Sequence, residues 1–298
     1  MTDQAMAAAL PQGAARGFWA DAWRRLRRNK AAMVAASLIL LISLLAFIGP
    51  SFSPHSFDAI DWDNMAVPPG GPNDHWLGTD RLGRDLFVRT LAGVQISLQI
   101  GLLATLVSLC IGVAFGATAG YLGGKIDNIM MRFVDILYSL PYIFIVIILS
   151  TLFERGNIYV LFLAIGAVGW LTMARIVRAQ VLSLRERPFI LAAQSIGVPP
   201  VRLMLRHFLP NLAGVVIVYL TLTVPAVVLY ESFLSFLGLG VRPPQASLGT
   251  LIADGASQLN SVRVRWWLLV FPAGLMTLML AALNGVGEGL RSAFEPRD

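Results

Sequence analysis

Six runs of about twenty predominantly apolar residues constrain the fold of this chain more than any other feature. A run of that length, folded as a helix, spans the hydrocarbon core of a bilayer. The runs are continuous and do not alternate apolar with polar residues, so they do not resemble the strands of a membrane barrel. We therefore predict an all-α polytopic membrane protein with six transmembrane helices. The predicted spans cover residues 31–49, 96–119, 132–152, 158–177, 212–235 and 266–285.

Composition agrees with a membrane protein. Only 13% of the residues are charged, against roughly a quarter in soluble domains. If the N-terminus is cytoplasmic, sixteen of the 23 Lys and Arg residues fall on the cytoplasmic side, as the positive-inside rule requires. We therefore predict that both termini are cytoplasmic. The net charge of +6 reflects this topology and attraction to anionic membrane lipid, not nucleic-acid binding.

The predicted organisation has five parts along the chain. A basic cytoplasmic tail covers residues 1–30, an anchor helix 31–50 and a periplasmic loop 51–95. A five-helix block follows at 96–285, with a cytoplasmic loop at 178–211 and a C-terminal tail at 286–298. Pro141, Pro225 and Pro272 lie inside spans, where each should kink or interrupt its helix.

The end of the periplasmic loop is rich in charges spaced four residues apart. In "LGTDRLGRDLFVRTLAG", residues 77–93, Asp80 precedes Arg84 and Asp85 precedes Arg89 by four positions. Such spacing places opposite charges on one helical face. We expect a helix at the outer membrane surface that carries ion pairs. A surface that receives a partner protein or a substrate is the alternative.

The cytoplasmic loop contains an unusual stretch, "RPFILAAQSIGVPPVRLMLRHFLPN". Pro188 suits a first helical position, and Gly197 can close that helix in a left-handed conformation. Pro200 can start a second helix, in which Arg202 and Arg206 share a face, and Pro210 is expected to end it. An apolar, basic helix pair of this kind either docks in a groove of a partner or packs against its own bundle.

The same loop carries a family resemblance. Ala192-Ala193, Gly197 and Leu209-Pro210 are spaced as in the Glu-Ala-Ala loop of the membrane subunits of bacterial ABC importers, although Leu191 stands where that family usually has Glu. Residues 77–89 and 231–255 and the C-terminal "GEGLRSAFEPR" resemble the peptide-importing branch of that family. From about residue 20 onward, the chain is thus similar to the C-type permeases of the oligopeptide and dipeptide branch.

The resemblance implies that residues 96–285 form a permease domain with the type I ABC importer fold, located in the bacterial inner membrane. It also implies a set of partners. These are a second, B-type permease, two cytoplasmic ATPases that bind the ATP, a periplasmic peptide-binding protein and a peptide substrate. It also implies that the loop is a coupling helix that contacts an ATPase. The residues carried over to that contact are Leu191, Ala192, Ala193, Gly197, Arg202, Arg206, His207, Leu209 and Pro210.

Other kinds of chemistry are weakly supported. The glycine-rich "GYLGGKID" lacks the four-residue spacer and the Ser or Thr of a phosphate loop, so we predict that this chain does not hydrolyse ATP. The sequence has no Cys/His spacing typical of a metal site, and we predict no metal, cofactor or catalytic residue. Asp135 and Glu231 are the acids near span ends, which leaves a secondary transporter as an alternative. Glu231 is either interfacial or faces a substrate path and meets a peptide amino group. Dipeptides, nickel or another small solute remain alternative substrates within the branch.

Overall fold

The computed structural model describes residues 18–70, 74–153, 157–259 and 264–294. Within these residues the regular elements are helices, as the apolar runs predict. Expectations for the rest of the N-terminal tail and for residues 295–298 lie outside the described residues. The helices, in chain order, are α1 (Phe18–Arg28), α2 (Lys30–Ile48), α3 (Leu86–Leu122), α4 (Gly124–Ser139), α5 (Tyr142–Leu152), α6 (Ile158–Arg185), α7 (Pro188–Ser195), α8 (Pro200–Leu203), α9 (Leu209–Phe236), α10 (Leu248–Ser257) and α11 (Trp267–Phe294).

The described residues contain five helical segments that are long and apolar enough to cross a membrane. A sixth crossing is broken, because α4 and α5 pass the same test together but are bent by 85° relative to each other. The break falls at Leu140, which is extended (ψ 139°) directly before Pro141. This is the conformation that a following proline favours. Pro225 and Pro272, by contrast, do not interrupt α9 and α11.

Helices α3 and α6 form a close pair through small residues. Gly112, Gly116 and Gly120 recur every fourth residue on α3, and a Cβ atom at Gly112 would lie 2.5 Å from the Cβ of Met173. At Gly116 the added atom would clash with the backbone of Ala174. Small residues at this spacing let membrane helices approach closely. The pair is the rigid element against which the cytoplasmic loop packs.

The segment before α3 does not form the predicted helix. The helix begins at Leu86, and Asp85 is its N-cap, accepting a 2.8 Å hydrogen bond from Val88 N. Residues 77–84 turn instead, because Gly78 and Gly83 adopt positive φ angles of 78° and 77°, which are incompatible with a right-handed helix. The helical expectation for this segment is therefore wrong.

Some of the predicted charge pairing survives in the turn. The carboxylate of Asp80 accepts from Arg84 Nε at 2.7 Å and also from the backbone N–H groups of Leu82 and Arg84. Arg89 lies 3.5 Å from Asp80 and not against Asp85. Aspartate thus satisfies local backbone groups in a non-helical conformation, which is the usual competition between Asp and helix formation.

Candidate coupling loop and substrate cavity

The first half of the cytoplasmic loop folds as the sequence predicts. Pro188 occupies the first turn of α7, after an extended Arg187. At its end Gly197 has φ 81°, and the N–H groups of Gly197 and Val198 donate to the carbonyls of Gln194 and Ala193. This arrangement satisfies carbonyls that the helix end leaves open. The left-handed glycine turns the chain sharply between α7 and α8.

The second half of the loop differs from the prediction at Pro210. The chain begins α8 at Pro200, widens into a π-helical turn over Met204–Phe208 and continues directly into α9. Leu209, expected to leave helical angles, has φ −55° and ψ −44°, and its N–H donates to Met204 O. The wide turn accommodates the proline, which can neither donate nor pack its ring against a normal preceding turn. Pro210 therefore lies in the first turn of α9 and does not end a helix.

The loop has an inner apolar face that is fixed to the bundle. Ile190, Ala193, Leu203 and Phe208 are buried, and they pack with residues of α3, α6 and α9. The ring of Phe208 meets Tyr121 of α3 edge-on, with centroids 6.0 Å apart. A movement of the loop should therefore be passed directly to the α3–α6 pair.

A second apolar face of the loop points away from the bundle. We call it the outer loop face. Five large side chains define it, with exposed fractions of 45% for Phe189, 49% for Leu191, 81% for Ile196, 70% for Val201 and 59% for Leu205. A concentration of exposed large apolar side chains in one short segment is typical of an interaction surface.

The remaining residues assigned to the coupling loop surround this face. Ala192, Gly197, Arg202, Arg206 and Pro210 are exposed, Ala193 is buried, and His207 and Leu209 are partly buried. The backbone carbonyl of His207 accepts a 2.6 Å hydrogen bond from Asn211 Nδ2. The polar residues of the set thus remain available at the surface, whereas Ala193 serves the packing of the loop.

A cavity of about 630 Å³ opens beside the break between α4 and α5. Four tyrosines line it, from α4, α5 and α9, together with Thr172 and Thr223. The tyrosines are Tyr138, Tyr142, Tyr219 and Tyr230. Tyr142 and Tyr230 pack at 4.8 Å between ring centroids. Non-helical backbone at membrane depth is tolerated where it lines a water-filled cavity, so the break and the cavity support each other.

Glu231 does not reach this cavity. It is fully buried in α9 and accepts a 2.7 Å hydrogen bond from Ser235 Oγ, with Ser97 Oγ of α3 at 3.5 Å. Burial against α3 does not determine the depth of this carboxylate in a membrane, so the interfacial alternative stays a prediction. The assignment of Glu231 to the substrate path stays a prediction.

Sequence reasoning missed two further ionic contacts. Arg178 of α6 contacts Asp127 of α4 through two hydrogen bonds of 2.5 and 2.6 Å. Arg175 donates to Asp135 at 2.8 Å and lies over the ring of Tyr138, 4.2 Å from its centroid. Asp135 is thus exposed and paired with Arg175. It lacks the burial that we would expect of an acid that carries protons or sodium ions across the membrane. Partners 40 and 51 positions apart leave no short spacing by which the sequence could reveal them.

Comparison with known proteins decides the family. Residues 112–297 match the family model described as the binding-protein-dependent transport system inner membrane component. The chain belongs to this family. Residues 17–69 of the permease also match the model for the N-terminal TM domain of oligopeptide transport permease C.

Individual relatives agree over nearly the whole permease. It is 48% identical to the oligopeptide transport system permease protein OppC of Haemophilus influenzae, over 95% of this chain and 90% of that protein. It is 45% identical to the dipeptide transport system permease protein DppC of Bacillus subtilis, over 93% and 85%. A solved MetNI methionine ABC transporter, in inward-facing conformations, shares the fold with a TM-score of 0.52 at 16% identity, covering 69% of this chain and 96% of that chain.

Proposed function

We propose that this permease is one of two membrane subunits of an ATP-driven importer of oligopeptides, and that its cytoplasmic loop is the contact to an ATPase. The observation that carries the proposal is the outer loop face. Its five large side chains are not covered by the bundle, and Phe189, Leu191 and Ile196 also lie outside the candidate membrane spans. Burying one such side chain in a partner's groove contributes about 1.5–3 kcal/mol.

The two faces of the loop give it a mechanical role. The buried inner face is fixed to α3 and α6, and the outer loop face is free to follow a partner. When two ATPases close on ATP, a partner groove would move the loop, and the loop would move the α3–α6 pair. This is a positioning role that needs no catalytic residue and no cofactor on this chain, since the ATP is bound by the partners.

The orientation follows from the same loop. An ATPase is cytoplasmic, so residues 178–211 are assigned to the cytoplasm, and both termini follow. Helix α1 agrees with this side, because it carries Arg24, Arg27 and Arg28 beside the exposed Trp19 and Trp23. Tryptophan and basic residues together favour the interface at the inner leaflet. The opposite side would then receive the periplasmic binding protein.

The tyrosine-lined cavity is our candidate for this chain's share of the peptide path. Tyrosine and threonine hydroxyls can hydrogen-bond to the backbone of any peptide, and tyrosine rings accept varied side chains. The B-type permease would complete the path. The named relatives include both an oligopeptide and a dipeptide permease, so dipeptides are the second candidate substrate.

Co-purification of the ATPases tests the coupling assignment. The permease is expressed with its partner subunits, and retention of the ATPases on Gly197→Arg is compared with wild type and with Gly238→Arg. Both glycines have positive φ, 81° and 76°, with nothing within 4 Å of an added Cβ atom. They lie at opposite ends of the molecule. We expect loss of the ATPases from Gly197→Arg alone.

Equal retention by all three proteins would contradict the coupling role of the loop. Uptake of labelled di-, tri- and pentapeptides into cells then separates the two substrate candidates. Uptake of the longer peptides supports an oligopeptide importer, and uptake confined to the dipeptide would overturn that part of the proposal.

A further inference from the structure

Two histidines and an aspartate meet on the outer side of the molecule. His55 follows the anchor helix α2, His75 lies in the loop before α3, and Asp85 caps α3. Each offers one ligand atom, and the three atoms lie within 4.8 Å of one another. The coupling loop and the tyrosine-lined cavity do not involve these residues.

His75 is the centre of the cluster. Its side chain is buried, and its Nδ1 lies 2.8 Å from Asp85 Oδ2. Its Nε2 lies 3.6 Å from Asp61 Oδ2, and its ring stacks on that of His55 with centroids 4.0 Å apart. A buried imidazole is therefore held between two carboxylates. Carboxylates placed in this way fix the orientation of metal-binding histidines.

His55 supplies the observation that an ordinary hydrogen-bond network does not explain. Its Nε2 is buried but has no hydrogen-bond partner among the residues that the structure describes. A buried polar atom left unpaired costs roughly 1–3 kcal/mol, so such an atom needs a reason. A metal ion beside it would remove the cost, since neutral imidazole nitrogen is a preferred ligand of Zn²⁺.

Access and charge also fit a cation. A cavity of about 380 Å³ opens onto the cluster, lined by His55, Asp61, Asp63, His75 and Asp85 among others. The nearby arginines do not oppose a cation there, because Arg84 and Arg89 pair with Asp80. Three acidic side chains therefore face this cavity, and a divalent cation would offset their charge.

We propose that His55, His75 and Asp85 form a binding site for a divalent transition-metal ion of the Zn²⁺ class. Ligand atoms on a tetrahedral Zn²⁺ ion are about 3.3 Å apart, given bonds of about 2.0–2.1 Å. The most separated of the three atoms, at most 4.8 Å apart, would therefore move together by up to about 1.5 Å on binding. The fourth position faces the cavity, where water completes the coordination.

The ion would join the start of the loop between α2 and α3 to the N-terminus of α3. It would close the chain between residues 55 and 85 and hold Asp85 at its capping position. The histidines lie twenty residues apart, and Asp85 a further ten. No short ligand motif exists at these spacings, which is why the expectation of no metal site followed from the sequence.

Zn²⁺ binding to the full-length permease, purified in detergent without a histidine tag, tests the site. Cys110 is exposed, so Cys110→Ser serves as the background and removes a competing thiol. Titration with Zn²⁺ alone, and with Co²⁺ for the visible absorption of tetrahedral coordination, is repeated for His55→Gln and His207→Gln. His55 is partly exposed, so its replacement should not prevent folding.

We expect one saturable equivalent, bound at least tenfold more weakly by His55→Gln and unchanged by His207→Gln. The tenfold figure is the lower end of the loss that removal of a supporting group causes at metal sites. Absence of saturable binding, equal binding by His55→Gln, or loss of binding in His207→Gln alone would each overturn the proposal. None of these outcomes bears on the ATPase contact, so this site is tested separately from the proposed function.

Discussion

The two loops at the ends of α3 are built on opposite physical principles. At the outer end, before Leu86, buried charges and hydrogen bonds hold the chain in place. At the inner end, between α6 and α9, apolar side chains do so, and a second set of apolar side chains remains exposed. The same helix thus contacts a polar network at one end and an apolar cluster at the other.

The polar network at the outer end of α3 is centred on Asp80 and Thr79. Asp80 pairs with Arg84 and Arg89, whose side chains are 9% and 2% exposed. The hydroxyl of Thr79 donates to Asn64 O and accepts from Val67 N, and its carbonyl accepts from Trp267 Nε1 of α11. Directional bonds of this kind specify one geometry.

The inner loop, by contrast, is held by contacts that have little directionality. Non-directional apolar packing tolerates small displacements better than a network of buried charges, which must stay paired. The difference suggests that the outer end of α3 is the fixed end and the inner end is the one that moves. Substitutions in the polar network should therefore lower the free energy of unfolding, whereas substitutions on the outer loop face should weaken ATPase retention.

Removing the carboxylate of Asp80 should have the largest effect. Asp80→Ala leaves Arg84 and Arg89 buried without their ionic partner, and breaking a buried pair from one side costs about 3–5 kcal/mol. We expect that loss in the free energy of unfolding, measured by denaturant titration of the purified permease in detergent. Asp63→Ala is the control, since Asp63 is exposed in the same loop. If Asp80→Ala and Asp63→Ala lose the same free energy of unfolding, the ion pairs of Asp80 do not hold the outer end of α3 in place.

A matched pair of leucines tests the inner end with a smaller effect. Leu203 is fully buried and Leu205 is 59% exposed, two residues further along. Leu203→Ala should lower the free energy of unfolding by about 2–3 kcal/mol through the cavity it leaves. Leu205→Ala should change it by less than about 0.5 kcal/mol but weaken ATPase retention several-fold.

The comparison fails if the two leucines behave alike. Equal loss of stability would mean that the outer loop face is part of the core. If Leu205→Ala retains the ATPases as fully as the wild type does, the Leu205 side chain lies outside the contact.

The sequence predicted the helices well because hydropathy decides which segments enter a bilayer. The prediction failed where backbone dihedral angles decide whether a segment is helical. Pro141 and Pro210 each follow a leucine, yet Leu140 is extended and Leu209 is helical. The difference comes from the π-helical turn before Pro210, which no local sequence pattern predicts. The glycines of residues 77–84 are another case, since their positive φ angles outweighed a charge spacing suited to a helix.

Sites assembled from distant segments were predicted least well. The loop residues 188–210 are contiguous, so proline and glycine positions alone located α7 and its bend. The tyrosines of the cavity come from helices about eighty residues apart, and side-chain contacts such as that between Tyr142 and Tyr230 bring them together only in the folded chain. One signal was available and unused, the repeat of Gly112, Gly116 and Gly120 that marks the face of α3 against α6.

The smallest effect is expected at Leu191, where the resembling loops usually carry Glu. Leu191 is half exposed on the outer loop face, so Leu191→Glu buries no charge within the permease and should change its free energy of unfolding by less than about 0.5 kcal/mol. Because the proposed contact is mainly apolar, we expect ATPase retention to change by less than about threefold, or roughly 0.7 kcal/mol at 1.4 kcal/mol per tenfold. Leu191→Gln separates charge from size. A gain of more than tenfold with Glu but not with Gln would show that the partner offers a basic group at this position, and that the dock is ionic and not apolar.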